Sequence, residues 1–291
     1  MLRIASPEAM RRWSREQRRA GRTIGLVPTM GYLHEGHLRL IDRARESADV
    51  VVVSVFVNPT QFGPGEDFLS YPRDLERDSQ LIGQRGGDCL FVPASEDVYS
   101  SNPQVSLTPG ELAAHLCGPR RPGHFEGVLT IVAKLFNLVE PDIAVFGRKD
   151  AQQARIITRM AHELDFPVQI VIAPTVREPD RVAMSSRNSY LSPDERAAAA
   201  MLPVSLDAAH REFVAGTTDV TSLVATVRAV LRQEPLIEIE YVEAVEPELL
   251  APVQVADSRT ILALAVRIGR ARLIDNILLG EGVDSDEIVA G

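Results

Sequence analysis

The chain has 291 residues and a mass of 31.9 kDa, enough to bury a core without disulfide or metal staples. Hydrophobic residues make up 45% and charged residues 24%, which excludes a disordered or fibrous chain. The longest apolar run, Val50 to Val57, falls far short of the roughly 18 residues a membrane helix needs, so no membrane partner is expected. The net charge of −9 argues against nucleic acid, because backbone binding needs a basic surface. No apolar stretch follows the arginine-rich start at once, so no signal peptide is read there. Two cysteines, Cys89 and Cys117, have no metal-ligand spacing and are too few for a disulfide scaffold; a cytoplasmic location fits.

The first helix is announced by Ser6 as its cap, Pro7 in its first turn and Gly21 just past its end. An apolar strand follows over Ile24 to Thr29, then a helix over Glu35 to Ala48. Val50 to Val57 is β-branched on both faces, the pattern of a strand buried on both sides. Next come a helix over Pro72 to Gln84, a strand over Leu90 to Val92, and a helix over Phe125 to Val139. A strand over Ile143 to Phe146, a helix over Ala151 to Leu164 and a strand over Val168 to Ala173 complete the series. This alternation predicts an α/β fold, a Rossmann-like doubly wound parallel sheet with helices on both faces. Strand order in the sheet is not readable. Ligands of such sheets bind beyond the carboxyl ends of the strands, so functional residues are expected there.

The pattern changes near Thr175, which predicts a domain over residues 1–175 and a smaller α+β domain over 176–291. In the second, Ser192-Pro-Asp-Glu195 is a capping box before an Ala-rich helix. A helix over Val220 to Leu231 and strands over Ile237 to Val245, Thr260 to Ile268 and Leu273 to Leu279 follow.

Four stretches after strands carry unusual polar density. In Pro28-Thr-Met-Gly-Tyr-Leu-His-Glu-Gly-His37, two of the six histidines, His34 and His37, stand at the start of a helix. A helix N-terminus offers free N–H groups and a positive dipole end, so the two imidazoles suit a polyphosphate. The zinc-protease spacing fails, because the position four after His34 is Leu38. In Phe146-Gly-Arg-Lys-Asp-Ala-Gln-Gln153, Lys149 is one of only two lysines beside 29 arginines, and a compact ammonium suits a phosphoryl oxygen. Asp150 is read with equal weight as a helix cap, and Gln153 as a hydrogen-bonding group for a polar substrate. In Val182-Ala-Met-Ser-Ser-Arg-Asn188, two hydroxyls and a guanidinium can wrap phosphate oxygens. In Val57-Asn-Pro-Thr-Gln61 and the glycine-rich residues after it, Gln61 can read a carboxylate or hydroxyl. Asp74 and Asp78 share a helix face; Asp74 reads as solvated and Asp78 as a candidate Mg²⁺ ligand.

A strand ending in His-x-Gly-His with a later Met-Ser-Ser-Arg segment resembles the nucleotidyl-transferring superfamily that includes the class I aminoacyl-tRNA synthetases. Val27-Pro-Thr-Met-Gly31, Leu33-His-Glu-Gly-His-Leu38, Phe56-Val-Asn-Pro-Thr-Gln-Phe-Gly63, Tyr71-Pro-Arg73, Arg121-Pro-Gly-His-Phe-Glu-Gly127, Phe146-Gly-x-Lys-Asp-x-Gln-Gln153 and Met184-Ser-Ser-Arg-Asn188 more closely resemble the pantoate–β-alanine ligase family. The resemblance implies condensation of (R)-pantoate with β-alanine, with ATP and Mg²⁺, through pantoyl adenylate, releasing AMP and pyrophosphate. It implies phosphate contacts for His34 and His37, with His37 as proton donor. Lys149, Ser185, Ser186 and Arg187 would hold the triphosphate, with Asp150 and Met184 also in the ATP site. Gly147 and Val176 would line the adenine side, Met30 would border the same site, Gln61 and Gln153 would bind pantoate, and Gln61 would also meet β-alanine. It further implies a C-terminal lid and a homodimer. The chain departs from the family pattern at Tyr32, Arg39, Pro179 and Arg181.

Three other readings compete. A nucleotidyltransferase acting on a phosphate-bearing acceptor should show extra cations in place of Gln61 and Gln153. A tRNA synthetase conflicts with the acidic charge, and a nucleotide sensor without catalysis with the intact Lys149, His37 and Arg187.

Overall fold

The computed structural model of the chain describes residues 1–289; the last two residues of the domain read as 176–291 lie outside it. The chain divides into two compact units. One comprises Met1–Gly110, Arg121–Arg148 and Ile156–Ala173, the other Glu111–Arg120, Lys149–Arg155 and Pro174–Gly291.

In the first unit β1 (Leu2–Ile4) leads into α1 (Pro7–Arg19). Ser6 caps α1 as expected, its hydroxyl accepting from the Ala9 N–H at 3.2 Å. Then follow β2 (Ile24–Thr29), α2 (Glu35–Arg45), β3 (Val50–Val55), α3 (Leu75–Gln84), β4 (Cys89–Phe91), the single turn α4 (Ser95–Val98), α5 (His124–Val139) and β5 (Ile143–Gly147). After it come α6 (Ala151–Glu163), of which residues 156–163 belong to this unit, and β6 (Gln169–Ala173). The six strands are parallel, in the order β1-β4-β3-β2-β5-β6. β3 is buried on both faces over residues 50–54, as its β-branched run predicts. Val27, Leu33, Ile41, Val51, Val53, Ile82, Leu90 and Val145 form the core on one face of this sheet.

This order positions the site. From β2 the chain winds outward through β3 and β4, then returns to place β5 on β2's other side. The carboxyl ends of β2 and β5 therefore flank a topological switch point, where connections leave in opposite directions and a crevice opens. The Pro28–His37 stretch leaves the end of β2, and Gly147 closes β5.

Several element ends differ from the reading. α3 starts at Leu75, not Pro72, because the Asp74 side chain accepts from the Arg77 N–H at 3.1 Å and begins the helix there. Asp74 is thus a cap and not merely part of a solvated acidic face. β1 went unread because three residues at an edge carry no periodicity.

In the second unit β7 (Val176–Arg177) precedes α7 (Pro193–Ala199), α8 (Met201–Val214) and α9 (Val220–Leu231). β8 (Glu238–Val245), β9 (Ile261–Ile268) and β10 (Ala271–Leu278) form an antiparallel sheet in the order β10-β9-β8. β11 (Glu287–Ile288) pairs with β7 in parallel. Leu202, Leu206, Leu223, Val227, Leu262, Leu264 and Val266 fill this unit's core. The Ser192–Glu195 capping box forms in both directions.

Candidate active site

The first unit presents its polar groups at strand ends. Thr29 closes β2 by donating to the Ser54 carbonyl (2.8 Å) and accepting from the Gly31 N–H (3.1 Å). His34 is the N-cap of α2, and its carbonyl accepts from the N–H groups of His37 (2.8 Å) and Leu38 (3.2 Å). Its own N–H donates to Nδ1 of His37 at 3.4 Å, and the ring centroids lie 4.0 Å apart. A ring nitrogen that accepts carries no proton, so neutral His37 holds its proton on Nε2. Nε2 is thereby the donor atom, on a helix end whose dipole favours an anion. Arg39 turns along α2 toward Glu35 and Asp42, at 3.4 and 3.7 Å.

Beyond β3, a single turn over residues 59–61 is capped by Asn58. Gln61 is buried; its Oε1 accepts from Asn58 Nδ2 (3.1 Å) and its Nε2 donates to Met30 Sδ (3.3 Å), so the structure brings Gln61 and Met30 together. Asn58 Nδ2 also donates to the Gly127 carbonyl (3.1 Å), and Asn58 Oδ1 accepts from the hydroxyls of Tyr99 (2.7 Å) and Thr60 (2.9 Å). Burial pushes the Tyr99 hydroxyl pKa up, despite its bonds to Thr60 and Asn58, which keeps it a donor.

His124 joins the same cluster. Its Nδ1 meets the Gln61 carbonyl at 2.8 Å and its Nε2 meets Arg121 Nη1 at 2.9 Å. A carbonyl only accepts and a guanidinium only donates, so this imidazole is neutral with its proton on Nδ1. Arg121 also forks onto Glu66, with two bonds of 2.7 Å. Burial opposes the Glu66 charge, but the Arg121 pair and the Gly63 N–H hold its carboxyl below the ordinary value. Sequence reasoning assigned no role to Asn58, Tyr99, Arg121 or His124. The only signal for Asn58, Arg121 and His124 was the Asn-Pro-Thr-Gln and Arg-Pro-Gly-His stretches themselves, and Tyr99 had none.

Asp78 is fully buried, and its two oxygens accept the N–H groups of Tyr32 and Leu33, both at 2.7 Å. Burial pushes its carboxyl up, and those two bonds pull it back only in part. Both oxygens are thus engaged by the β2–α2 turn. Among the described residues no group of three or more His, Cys, Asp or Glu side chains is arranged to hold a metal.

In the second unit Val176 and Met184 face each other across a tight hairpin. Met184 N–H donates to the Val176 carbonyl (2.9 Å) and Glu178 N–H to the Val182 carbonyl (2.9 Å). Arg181 makes the turn with φ 70°, and Arg196 forks onto Glu178 and Asp180 to brace it. Ser185 then caps a single turn over residues 186–190, accepting from the Arg187 N–H at 3.3 Å, and Ser186 is buried. Val176, Met184, Ser185, Ser186 and Arg187 therefore share one hairpin and its continuation. Lys149 Nζ lies 3.8 Å from Asp150, and the Lys149 carbonyl accepts from Asn276 Nδ2 at 2.9 Å. The two neighbouring glutamines differ. Gln152 is buried and bonds the backbone of Leu112, His115 and Cys117, whereas Gln153 is half-buried.

A parallel sheet with its switch point beside a strand end that delivers His34 and His37 to a helix N-terminus defines an α/β enzyme of the His-x-Gly-His superfamily. Residues 3–278 match the family model described as "Pantoate-beta-alanine ligase". The pantothenate synthetase of Heliobacterium modesticaldum is 52% identical over 276 residues, covering 95% of this chain and 98% of that protein. The crystal structure of pantothenate synthetase from Thermus thermophilus superposes with a TM-score of 0.90 at 43% identity, covering 96% of this chain and 99% of that one. The pantoate–β-alanine ligase of Francisella tularensis, solved with "Beta-gamma ATP and Beta-alanine", has a TM-score of 0.79 at 31% identity, over 97% of this chain and 99% of that one. The chain belongs to the pantoate–β-alanine ligase family, and it is an enzyme that joins pantoate to β-alanine.

Proposed function

We propose that the ligation runs through ATP and an acyl adenylate. A carboxylate is a poor acyl donor, so it is first made into a mixed anhydride. An oxygen of the pantoate carboxylate attacks the α-phosphorus of ATP, the bond to the β-phosphate breaks, and pantoyl adenylate and pyrophosphate form. The neutral amine of β-alanine then attacks the acyl carbon. The bond to AMP breaks, the amine loses a proton, and pantothenate and AMP result.

The observation that carries this reading is the His37 Nε2 donor at the N-terminus of α2, beyond the end of β2. There it stabilises charge developing on the departing pyrophosphate, with His34 beside it. Lys149, Ser185, Ser186 and Arg187 bind the triphosphate, Asp150 and Met184 belong to the ATP site, and Gly147, Val176 and Met30 border the adenosine. Gln61 and Gln153 bind pantoate, and Gln61 also meets β-alanine. The ATP analogue and β-alanine in the Francisella tularensis protein support both substrates. Among the described residues no carboxylate cage is arranged for magnesium, and Asp78, with both oxygens on backbone N–H groups, does not fit as its ligand. The enzyme is read as a cytoplasmic homodimer. The buried thiols Cys89 and Cys117, outside any disulfide, fit a reducing compartment.

The test is isotope exchange between ATP and pyrophosphate with pantoate present and β-alanine absent. Pantoate-dependent exchange establishes reversible adenylate formation; none, from folded enzyme that binds ATP, removes the two-step route. Lys149→Ala or His37→Ala should lower the exchange rate by about 10²–10³ with the fold intact. Near-normal exchange in either variant removes that residue's role.

A further inference from the structure

The turn from β2 to α2 holds backbone that ordinary residues avoid. Gly31 has φ 83° and Tyr32 φ 50°. A left-handed tyrosine costs free energy and persists only where its surroundings over-determine it. Two consecutive residues of α3 do so here. Asp78 takes the N–H groups of Tyr32 and Leu33, one on each oxygen. Arg77 Nη1 donates to the Leu33 carbonyl at 2.8 Å, and its guanidinium lies 5.4 Å from the centre of the Tyr32 ring. A Cβ at Gly31 would stand 3.0 Å from Asp78 Oδ2 and 2.9 Å from Val55 Cγ1, so only glycine admits the carboxylate. The residue after this clamped segment is His34, the cap of α2.

We propose that Arg77 and Asp78 are positioning residues for the reaction: a clamp on Tyr32 and Leu33 that fixes where His34 and His37 stand. The proposal rests on the reading that these histidines act on the reacting phosphates. It accounts for the left-handed backbone of Tyr32, whose ring lies under the Arg77 guanidinium. It also gives Asp78 work that its buried, backbone-bonded carboxylate can do. Positioning errors well under the size of an atom are expensive in rate, because reacting atoms must already be aligned.

The test is steady-state ligase kinetics on the full chain with Asp78→Asn, Arg77→Ala and Arg77→Lys. Asparagine keeps the shape of Asp78 but turns a donor toward one of the two N–H groups. Asp78→Asn should lower kcat by about tenfold or more and Arg77→Ala by about three- to tenfold, with KM for β-alanine within about twofold of wild type. Arg77→Lys should recover most of the loss, because an ammonium still donates to the Leu33 carbonyl. Amide exchange at Tyr32 and Leu33 should quicken in Asp78→Asn while the rest of the sheet is unchanged. Wild-type kcat in Asp78→Asn and Arg77→Ala, or Arg77→Lys no better than Arg77→Ala, overturns the clamp. Should Asp78→Asn fail to fold, the two Arg77 variants decide. His37→Ala separates the two readings: if it retains full turnover, the histidine reading has failed, and amide exchange still decides the clamp.

Discussion

His124 and Glu66 show how much chemistry a single residue acquires from its neighbours. The imidazole is held neutral by a donor on one side and an acceptor on the other, and Arg121 ties it to Glu66. Because the Glu66 pKa is lowered in the fold, this carboxylate contributes stability that is present above its ordinary value of 4.5. That contribution is lost as pH falls through the lower folded value. Below pH 4.5 the melting temperature of the wild type should therefore fall more steeply than that of Glu66→Gln. Equal slopes in a calorimetric pH series would show the pair contributes nothing. At this scale the sequence was partly readable. His34, His37 and Lys149 stood out because rare residue types gathered after predicted strands. Asn58 and Tyr99 did not, since a buried polar residue gains meaning only from the partner the fold delivers, 41 positions away in this pair.

Elements carry a second kind of information. α5 approaches the turn at 59–61 through Gly127, where a Cβ would lie 2.4 Å from the Thr60 carbonyl oxygen. Gly127→Ala must push the helix or the turn away, and with it the bonds from Asn58 to Gln61 and to the Gly127 carbonyl. A loss of about 1–3 kcal/mol in stability, read by denaturant titration, and a raised KM for pantoate are expected. A stable variant with unchanged KM would show that the contact yields freely. The first long helices and the buried strands were predicted within a few residues, because cap chemistry and hydrophobic period are local signals. The Ala-rich segment was read as one helix but forms two, α7 and α8, meeting at Ala200 with Pro203 in the first turn of the second. Proline is tolerated in a first turn and not in a helix interior, so the break was marked in the chain.

At the scale of the whole molecule, buried charge does what local pattern cannot. In the second unit Arg177, wholly buried, forks onto Asp275 of β10 at 2.8 and 3.0 Å and reaches Asp286, before β11, at 2.7 Å. Burial works against the guanidinium charge, but the two carboxylates raise its pKa still further. Removing the arginine strands two buried carboxylates, so Arg177→Met should cost about 3–5 kcal/mol. Replacing all three residues by apolar ones of similar size should recover much of that in thermal unfolding. A single variant as stable as wild type would mean the network carries no weight. Next along β10, Asn276 holds the carbonyl of Lys149, 127 positions earlier.

The amino-acid sequence by itself determined the alternation of helices and strands, the two-faced burial of β3 and the strand-end motifs, because each rests on neighbours a few residues apart. Only the tertiary structure decided the strand order and hence the switch point between β2 and β5. It alone joined residues 111–120 and 149–155 to the C-terminal unit and turned Asp78 onto the β2–α2 turn. Those outcomes depend on which distant surfaces bury each other and which distant polar groups pair. That choice is settled by the packing of the whole chain and leaves no periodic trace along it.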